Sequence, residues 1–309
     1  MAGKEIIVVF GATGAQGGSV VKALLQDSSF VVRAVTRDVT KPAAQKLKEA
    51  GAEVVAADLD DETSVKAALK RTDGAFVVTN FWEHMDKDKE VKQVTNNAND
   101  FTLGKQIADL CKQQGLQHVI YSGLENVHKL TGGKLEVLHF DSKGKVEEYF
   151  RQIKVPMTSV RLAFYFENFY TLCRPQKCQD GKTYQLVIPM GDIPMDGISV
   201  TDLGPVVCSI LKSPSEYIGK DIGLSAEKLT INQYAKITSK VTGKTIVDSK
   251  ITPEAYEKLS FPGAQEMASM FLFYHMRPDR NVELTRKLNP AVKTFKQFME
   301  ANKEAFKDL

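Results

Sequence analysis

Glu5-Ile6-Ile7-Val8-Val9-Phe10 runs straight into Gly11-Ala12-Thr13-Gly14-Ala15-Gln16-Gly17-Gly18. The apolar, β-branched run predicts a buried strand, and the glycine turn behind it opens a helix expected over Ser19 to Leu25. Gly11 suits a tight turn off the strand. Gly14 lets the backbone approach a pyrophosphate without a Cβ in the way, and Gly17 permits close packing of helix on strand. The helix N-terminus adds unpaired N–H groups and partial positive charge. The spacing is G-x-x-G-x-x-G rather than the dinucleotide fingerprint G-x-G-x-x-G, and a structural turn also produces glycine triplets. The strand before and the helix after favour a dinucleotide site.

Outward from this turn the pattern repeats. Phe30 to Thr36, Glu53 to Ala57, Gly74 to Thr79 and His118 to Ser122 read as further short apolar strands. Helical stretches precede them, among them Ala43 to Ala50. A helix over Ser142 to Gln152 leads to a sixth strand, Met157 to Leu162, expected to complete the sheet. Strands alternating with helices imply right-handed crossovers and a parallel sheet covered on both faces, a doubly wound α/β Rossmann fold. Val94 to Thr102, rich in turn formers and β-branched residues, is expected to loop out where a helix should begin.

Past the sixth strand the rhythm changes. Pro175 to Pro194 is turn-rich, the last third is mainly helical, and Thr252-Pro253-Glu254 puts proline in a helix's first turn. Asp196 to Ile210 is expected to return to the sheet. The expected division is a nucleotide-binding domain of 1–162 plus about 196–222, with a smaller, mainly helical lobe of about 163–195 plus 223–309 closing a cleft.

The 309 residues are 43% hydrophobic and 26% charged, ordinary soluble values that argue against disordered and fibrous classes. Net charge is only +3, from 41 basic and 38 acidic residues spread along the chain, so no direct nucleic-acid contact is expected. The four cysteines show no metal or disulfide spacing, which points to reduced thiols and no metal. Met1-Ala2-Gly3-Lys4 leads at once into the first strand and no apolar run reaches spanning length. The expectation is a cytoplasmic protein without membrane contact, nuclear access being open.

Arg37 follows the second strand, where a side chain reaches the adenosine ribose. A guanidinium there suits the 2′-phosphate of NADP, with Lys41 as a second cation; Asp38 could turn in and serve NAD instead. NADP(H) is expected over NAD(H). Asp58 and Leu59 end the third strand near the adenine. Thr79, Asn80 and Phe81 end the fourth beside the pyrophosphate. Each is equally readable as a polar strand end.

With Tyr121-Ser122-Gly123-Leu124-Glu125-Asn126, His139-Phe140-Asp141-Ser142-Lys143, Tyr165-Phe166-Glu167-Asn168, Pro194-Met195-Asp196-Gly197 and Met276-Arg277-Pro278-Asp279 added to the glycine turn and Thr36-Arg37, the chain resembles the NmrA-like family over nearly its whole length. These are atypical relatives of the short-chain dehydrogenases/reductases. The resemblance implies an NADP-binding Rossmann domain whose occupancy changes conformation and homodimerisation, reporting NADPH/NADP balance to protein partners, among them argininosuccinate synthase. Carried over, the nucleotide contacts are Gly11, Ala12, Thr13, Gly14, Ala15, Gln16 and Gly17, then Arg37 and Lys41, Asp58 and Leu59, Thr79, Asn80 and Phe81, Lys143, and Tyr165, Phe166, Glu167 and Asn168. Val94 to Phe101 departs from the family pattern as an insertion near the cleft.

Hydride-transferring relatives use a serine after the fifth strand and a Tyr-x-x-x-Lys pair. Ser122 and Lys143 are in place here, but His139 stands at the tyrosine position, one helical turn from Lys143, so both should face the cleft. If the chain is active, Ser122, His139 and Lys143 carry the chemistry, and the product is a reduced small carbonyl, enone or quinone. A lysine beside an imidazole disfavours its protonated form, which tilts the reading to a nonenzymatic redox sensor in which Lys143 binds the nicotinamide ribose. Tyr121, within its strand, should pack. Phe164, Tyr165, Phe166, Phe169 and Tyr170 either line the cleft or fill the core. A scaffold that merely keeps the fold is the third class, since fold does not fix function.

Overall fold

Strand β1 (Glu5–Val9) sends Ile7 and Val9 into one core and Val8 into another, all three essentially inaccessible. A strand apolar on both faces belongs in the middle of a covered sheet, and that is where β1 lies. The computed structural model describes residues 3–84 and 96–309. In chain order β1 is followed by α1 (Ala15–Gln26), β2 (Phe30–Thr36), α2 (Pro42–Glu49), β3 (Glu53–Ala56), α3 (Glu62–Ala68), β4 (Gly74–Val77), α4 (Asn96–Gln114) and β5 (His118–Ser122). Then come α5 (Val127–Leu130), α6 (Leu138–Gln152), β6 (Met157–Leu162), β7 (Phe164–Tyr165), β8 (Gln176–Lys177), β9 (Tyr184–Leu186) and β10 (Met195–Ile198). The remainder is α7 (Leu203–Leu211), α8 (Pro214–Tyr217), β11 (Asp221–Leu224), β12 (Glu227–Leu229), α9 (Ile231–Thr242), β13 (Ile246–Asp248), α10 (Pro253–Tyr256), α11 (Ala264–His275), α12 (Val282–Leu288) and α13 (Phe295–Ala301).

The seven-stranded sheet runs β11-β6-β5-β4-β1-β2-β3, with all neighbours parallel. It is a Rossmann-like doubly wound sheet. Strand order reverses between β1 and β4, which opens a crevice at the carboxyl ends of the strands. One face is covered by α1 and α7, which pack so closely that a Cβ on Gly204 would lie 2.1 Å from Ser19 O. The other carries α3, α4 and α6 over Val8, Val77, Val119 and Tyr121. Tyr121 is fully buried against Phe150, a packed strand residue as its position predicts.

Two small sheets, β12-β10-β7 and β13-β9-β8, stand outside the main one. Phe166, Phe169, Tyr234, Phe295 and Phe298 pack ring on ring among them. Thr252 caps α10 behind Pro253 as the sequence suggests.

Four expectations are corrected. Met157 to Leu162 does not complete the sheet: β11 pairs beyond it, Ile222 opposite Val160. The stretch from Asp196 does not rejoin the main sheet as strand; β10 joins β7 and β12, and the chain from Val200 to Leu211 is helical, laid on α1. Asn96 to Thr102 is helix rather than loop, because packing of α4 on α6 overrides weak local propensity; Val94 and Thr95 lie outside the described residues. Finally, α1 and α6 each begin one turn earlier than expected, so Gln16 and His139 are helical.

Candidate dinucleotide site

Gly11 leaves β1 with φ +61°, a left-handed backbone that glycine adopts without strain, and Gly14 N donates back to Gly11 O at 2.9 Å. Gly14 is then the N-cap of α1. It brings no side-chain cap, and the first turn holds no acid, so the amide end of the helix is left for a ligand. Gly17 lies so near the turn that a Cβ would stand 2.2 Å from Gly11 O. Thr13, Gly14, Ala15, Gln16 and Gly17 line a cleft of about 550 Å³ at the crevice between β1 and β4.

Around that cleft the structure gathers most of the residues singled out from sequence. Gly11, Arg37, Lys41, Asp58, Leu59, Thr79, Asn80, Phe81, His139, Lys143 and Tyr165 all line it. Arg37 and Lys41 are exposed at its β2 end. Asp38 lines the cleft between them, with its carboxylate engaged by the local turn: its Oδ1 accepts from Thr40 N at 2.9 Å and Thr40 Oγ1 at 2.6 Å, which holds its carboxyl below the usual range. Asp58 Oδ1 accepts from Asp60 N, and Asp60 joins the lining.

Lys143 is buried and donates from Nζ to Thr79 O at 2.7 Å and Thr79 Oγ1 at 2.9 Å. Burial pushes its ammonium down, and the nearby Asp100 carboxylate works against that. One turn before it, His139 is gripped by Glu266 of α11, whose Oε1 accepts from His139 N at 3.0 Å and faces Nδ1 at 2.5 Å. Phe81, Trp82 and Phe140 surround the imidazole, with centroids 5.9, 5.1 and 4.8 Å away. Tyr165 accepts from Gln16 Nε2 at 2.7 Å, and burial pushes its phenol up to about 12.

Five sequence candidates lie elsewhere. Ala12 is buried beneath the turn, its amide donating to Val35 O. Ser122 is buried at the end of β5 and is not among the cleft residues. Phe166 fills the aromatic core. The Glu167 carboxylate accepts from Ser199 Oγ at 2.6 Å and Val200 N at 3.1 Å, and Asn168 O accepts from Thr171 N and Cys173 N. These three follow Tyr165 in a 3-10 turn that heads into the interior, so only Tyr165 reaches the cleft. Sequence reading missed Trp82, Leu103 and Leu124 in the lining, and Glu266 behind it. Trp82 alone had a signal, being the chain's single tryptophan two residues past Asn80.

A dinucleotide fits these residues. Gln16 Oε1 is buried with no partner among the described residues, at the first turn of α1, and Gly11, Gly14 and Gly17 leave the backbone bare for phosphate. All four cysteines are free thiols. No described helix is long and apolar enough to cross a membrane.

The family model of the NmrA-like family matches residues 3–299. The chain belongs to that family. An NmrA-like family domain-containing oxidoreductase, malD of Malbranchea aurantiaca, is 35% identical over 78% of this chain and 74% of its own length. NmrA-like family domain-containing protein 1 of Rattus norvegicus is 29% identical over 99% of this chain and all of its own. Among solved structures, NmrA, a negative transcriptional regulator, in complex with NADP superposes with a TM-score of 0.80 at 22% identity, covering all of this chain and 98% of that one. Citrobacter sp. triphenylmethane reductase complexed with NADP(H) gives 0.74 at 19%, over 97% and 99%. At these identities the superpositions show a shared fold.

Proposed function

We propose that the chain is an NADP(H)-binding redox sensor, cytoplasmic with nuclear access, that changes conformation and self-association with nucleotide occupancy and so regulates protein partners, argininosuccinate synthase being the one the family resemblance implies. The observation that carries it is the Gln16–Tyr165 bond. It ties the phosphate-facing turn of α1 to β7, and two residues on Glu167 grips the Ser199–Val200 turn that leads into α7. Ser19 of α1 closes the circuit, its Oγ donating to Thr201 O and accepting from Gly204 N. A phosphate bound at the α1 turn competes for Gln16 and so acts on Tyr165. Because a ligand shifts an equilibrium only through differential affinity, a side chain that must choose between nucleotide and protein is a suitable lever.

What supports a preference for NADP(H) is the pair of cations Arg37 and Lys41 in the lining, with the Asp38 carboxylate beside them already engaged by Thr40. A 2′-phosphate accepts paired, charge-assisted bonds from a guanidinium, worth about 1.5–3 kcal/mol, so Arg37→Ala is expected to weaken NADPH binding roughly 10- to 100-fold and leave NADH unchanged. Calorimetry with both nucleotides checks it; equal affinities in both proteins refute the preference. Tyr165→Phe is expected to bind NADPH but lose the nucleotide-dependent change in proteolytic protection and oligomer mass that wild type shows. No such change in wild type with NADPH or NADP refutes the sensor.

The grip of Glu266 on His139 favours a second reading, an NADPH-dependent reductase of a small carbonyl, enone or quinone. The bound nucleotide would supply hydride there, Lys143 would hold the nicotinamide ribose, and His139 would meet the substrate oxygen.

A further inference from the structure

We infer that Thr40 is a phosphorylation site, and that a phosphate on it takes over the cations facing the adenosine 2′-phosphate, so that modification and NADP(H) binding exclude one another. The inference rests on the NADP(H) reading of the cleft and deepens it by naming a control on that end of the site. Thr40 is exposed in the turn between β2 and α2, Arg37-Asp38-Val39-Thr40-Lys41. Among the threonines that line the cleft, Thr36 is part of β2, Thr79 is buried and Thr13 belongs to the glycine turn. Thr40 stands beside the lining rather than in it, where an enzyme can reach it.

Its hydroxyl is one bond from the site. Oγ1 donates to Asp38 Oδ1 at 2.6 Å, and Asp38 lines the cleft together with Arg37 and Lys41. A phosphate on that oxygen puts a charge of about −1.5 to −2 and three acceptor oxygens where a proton donor stood. It has no proton to give Asp38, and two anions at that distance repel, so the carboxylate is turned away. Arg37 and Lys41 are the cations of the same turn, and a guanidinium takes phosphate oxygens in pairs. One fork cannot serve a ribose phosphate at the same time. The start of α2 tolerates the added charge, since its first turn holds no acid and its N-cap makes no side-chain bond.

The partner is a protein kinase with an acidic substrate groove, which is complementary to a basic residue three positions before the acceptor and another just after it. In the transfer, Oγ1 bonds to the γ-phosphorus of ATP and the bridging P–O bond breaks, its electron pair leaving on ADP. The hydroxyl proton passes to the carboxylate base of the kinase. Coupling between two ligands is reciprocal, so a nucleotide that occupies Arg37 withholds it from the kinase and protects Thr40.

The test uses the full chain with phosphothreonine placed at position 40 during synthesis, titrated calorimetrically beside the unmodified chain. Withdrawing the paired bonds should weaken NADPH roughly 10- to 100-fold and leave NADH within about threefold. In an Arg37→Ala background the same modification should cost NADPH less than about threefold, because the shared guanidinium is already gone. The unmodified chain is also incubated with ATP and the catalytic domain of an arginine-directed kinase, and phosphate at Thr40 is read by mass spectrometry. Incorporation is expected in the free chain, slowed about 10-fold or more by saturating NADPH. Phosphothreonine that leaves NADPH binding unchanged, an equal loss in the Arg37→Ala background, a free chain that takes no phosphate at Thr40, or incorporation that bound NADPH does not slow overturns the inference. An unmodified chain that binds no NADPH sinks the nucleotide reading and this inference with it; one that binds NADPH equally well when phosphorylated sinks this inference alone.

Discussion

Gly17→Ala is expected to lower NADPH affinity at least 100-fold and to destabilise the fold by about 1–3 kcal/mol, the usual cost of overpacking a tight interior. The added methyl would stand 2.2 Å from Gly11 O, 2.6 Å from Gly11 C and 2.9 Å from Ala12 N, all backbone atoms with no rotamer to change. Either α1 backs away from the turn or the turn moves, and both separate the amide end of the helix from the residues that face the cleft. Because the phosphate contacts are made by backbone, a shift of about 1 Å is as damaging as losing a side chain. Gly18→Ala is the control. Its methyl would meet Ala12 O at an ordinary 3.4 Å, and a helical glycine replaced by alanine gains up to about 1 kcal/mol. Calorimetric titration and urea melts of both variants check the pair; Gly17→Ala binding and melting like wild type would remove the basis for placing phosphate at this turn.

What made the turn legible in sequence is that its signal is local. Strand period, glycine spacing and helix start lie within one stretch of chain, and β2, β5 and β6 were bounded correctly for the same reason: each is a short apolar run between turn residues. Strand β11 was not legible, because Asp-Ile-Gly-Leu offers only two apolar residues and owes its conformation to the exposed edge of β6. Asn96 to Thr102 was misread because its local propensity points to a turn, while the decisive contacts come from α6, about 40 residues on. The site divides in the same way. Arg37 and Thr79 follow from topology, since the carboxyl ends of the strands border the crevice, whereas Lys143 comes from the resemblance to relatives that carry a Tyr-x-x-x-Lys pair. Phe166, Glu167 and Asn168 come with Tyr165 from the family resemblance, and the 3-10 turn takes them inward. Glu266 carries no local mark at all, its role being created by the packing of α11 on the start of α6.

Arg280→Met is expected to be the most destabilising substitution outside the cleft, by about 3–5 kcal/mol, because it strands a buried carboxylate. Arg280 meets Glu125 with both forks, Nη1 to Oε1 at 2.5 Å and Nη2 to Oε2 at 3.1 Å, and the side chains are 1% and 7% exposed. Glu125 follows cleft-lining Leu124, and Arg280 precedes Asn281, whose amide donates to Gly223 O of β11, so the pair fastens the C-terminal segment to the sheet beside the cleft. Burial alone would raise the Glu125 carboxyl; the hydrogen bonds and charge of Arg280 outweigh it and hold the group below its usual value. A carboxyl lowered in the folded state stabilises above its unfolded pKa, and that contribution is lost as pH falls through the folded value. In Arg280→Met the same burial is opposed mainly by Arg161, whose Nη1 lies 4.0 Å from Glu125 Oε1 and makes no close bond to it, so the group rises and the variant gains relative stability on acidification. The gap between wild type and Arg280→Met should therefore be widest near neutrality and narrow below about pH 4, the range of an unperturbed glutamate. The double variant Arg280→Met/Glu125→Leu, which removes both charges, should recover most of the loss. Urea melts across that pH range give the result; a variant within about 0.5 kcal/mol of wild type at neutral pH, the ordinary range for surface changes, would mean the pair carries no structural weight.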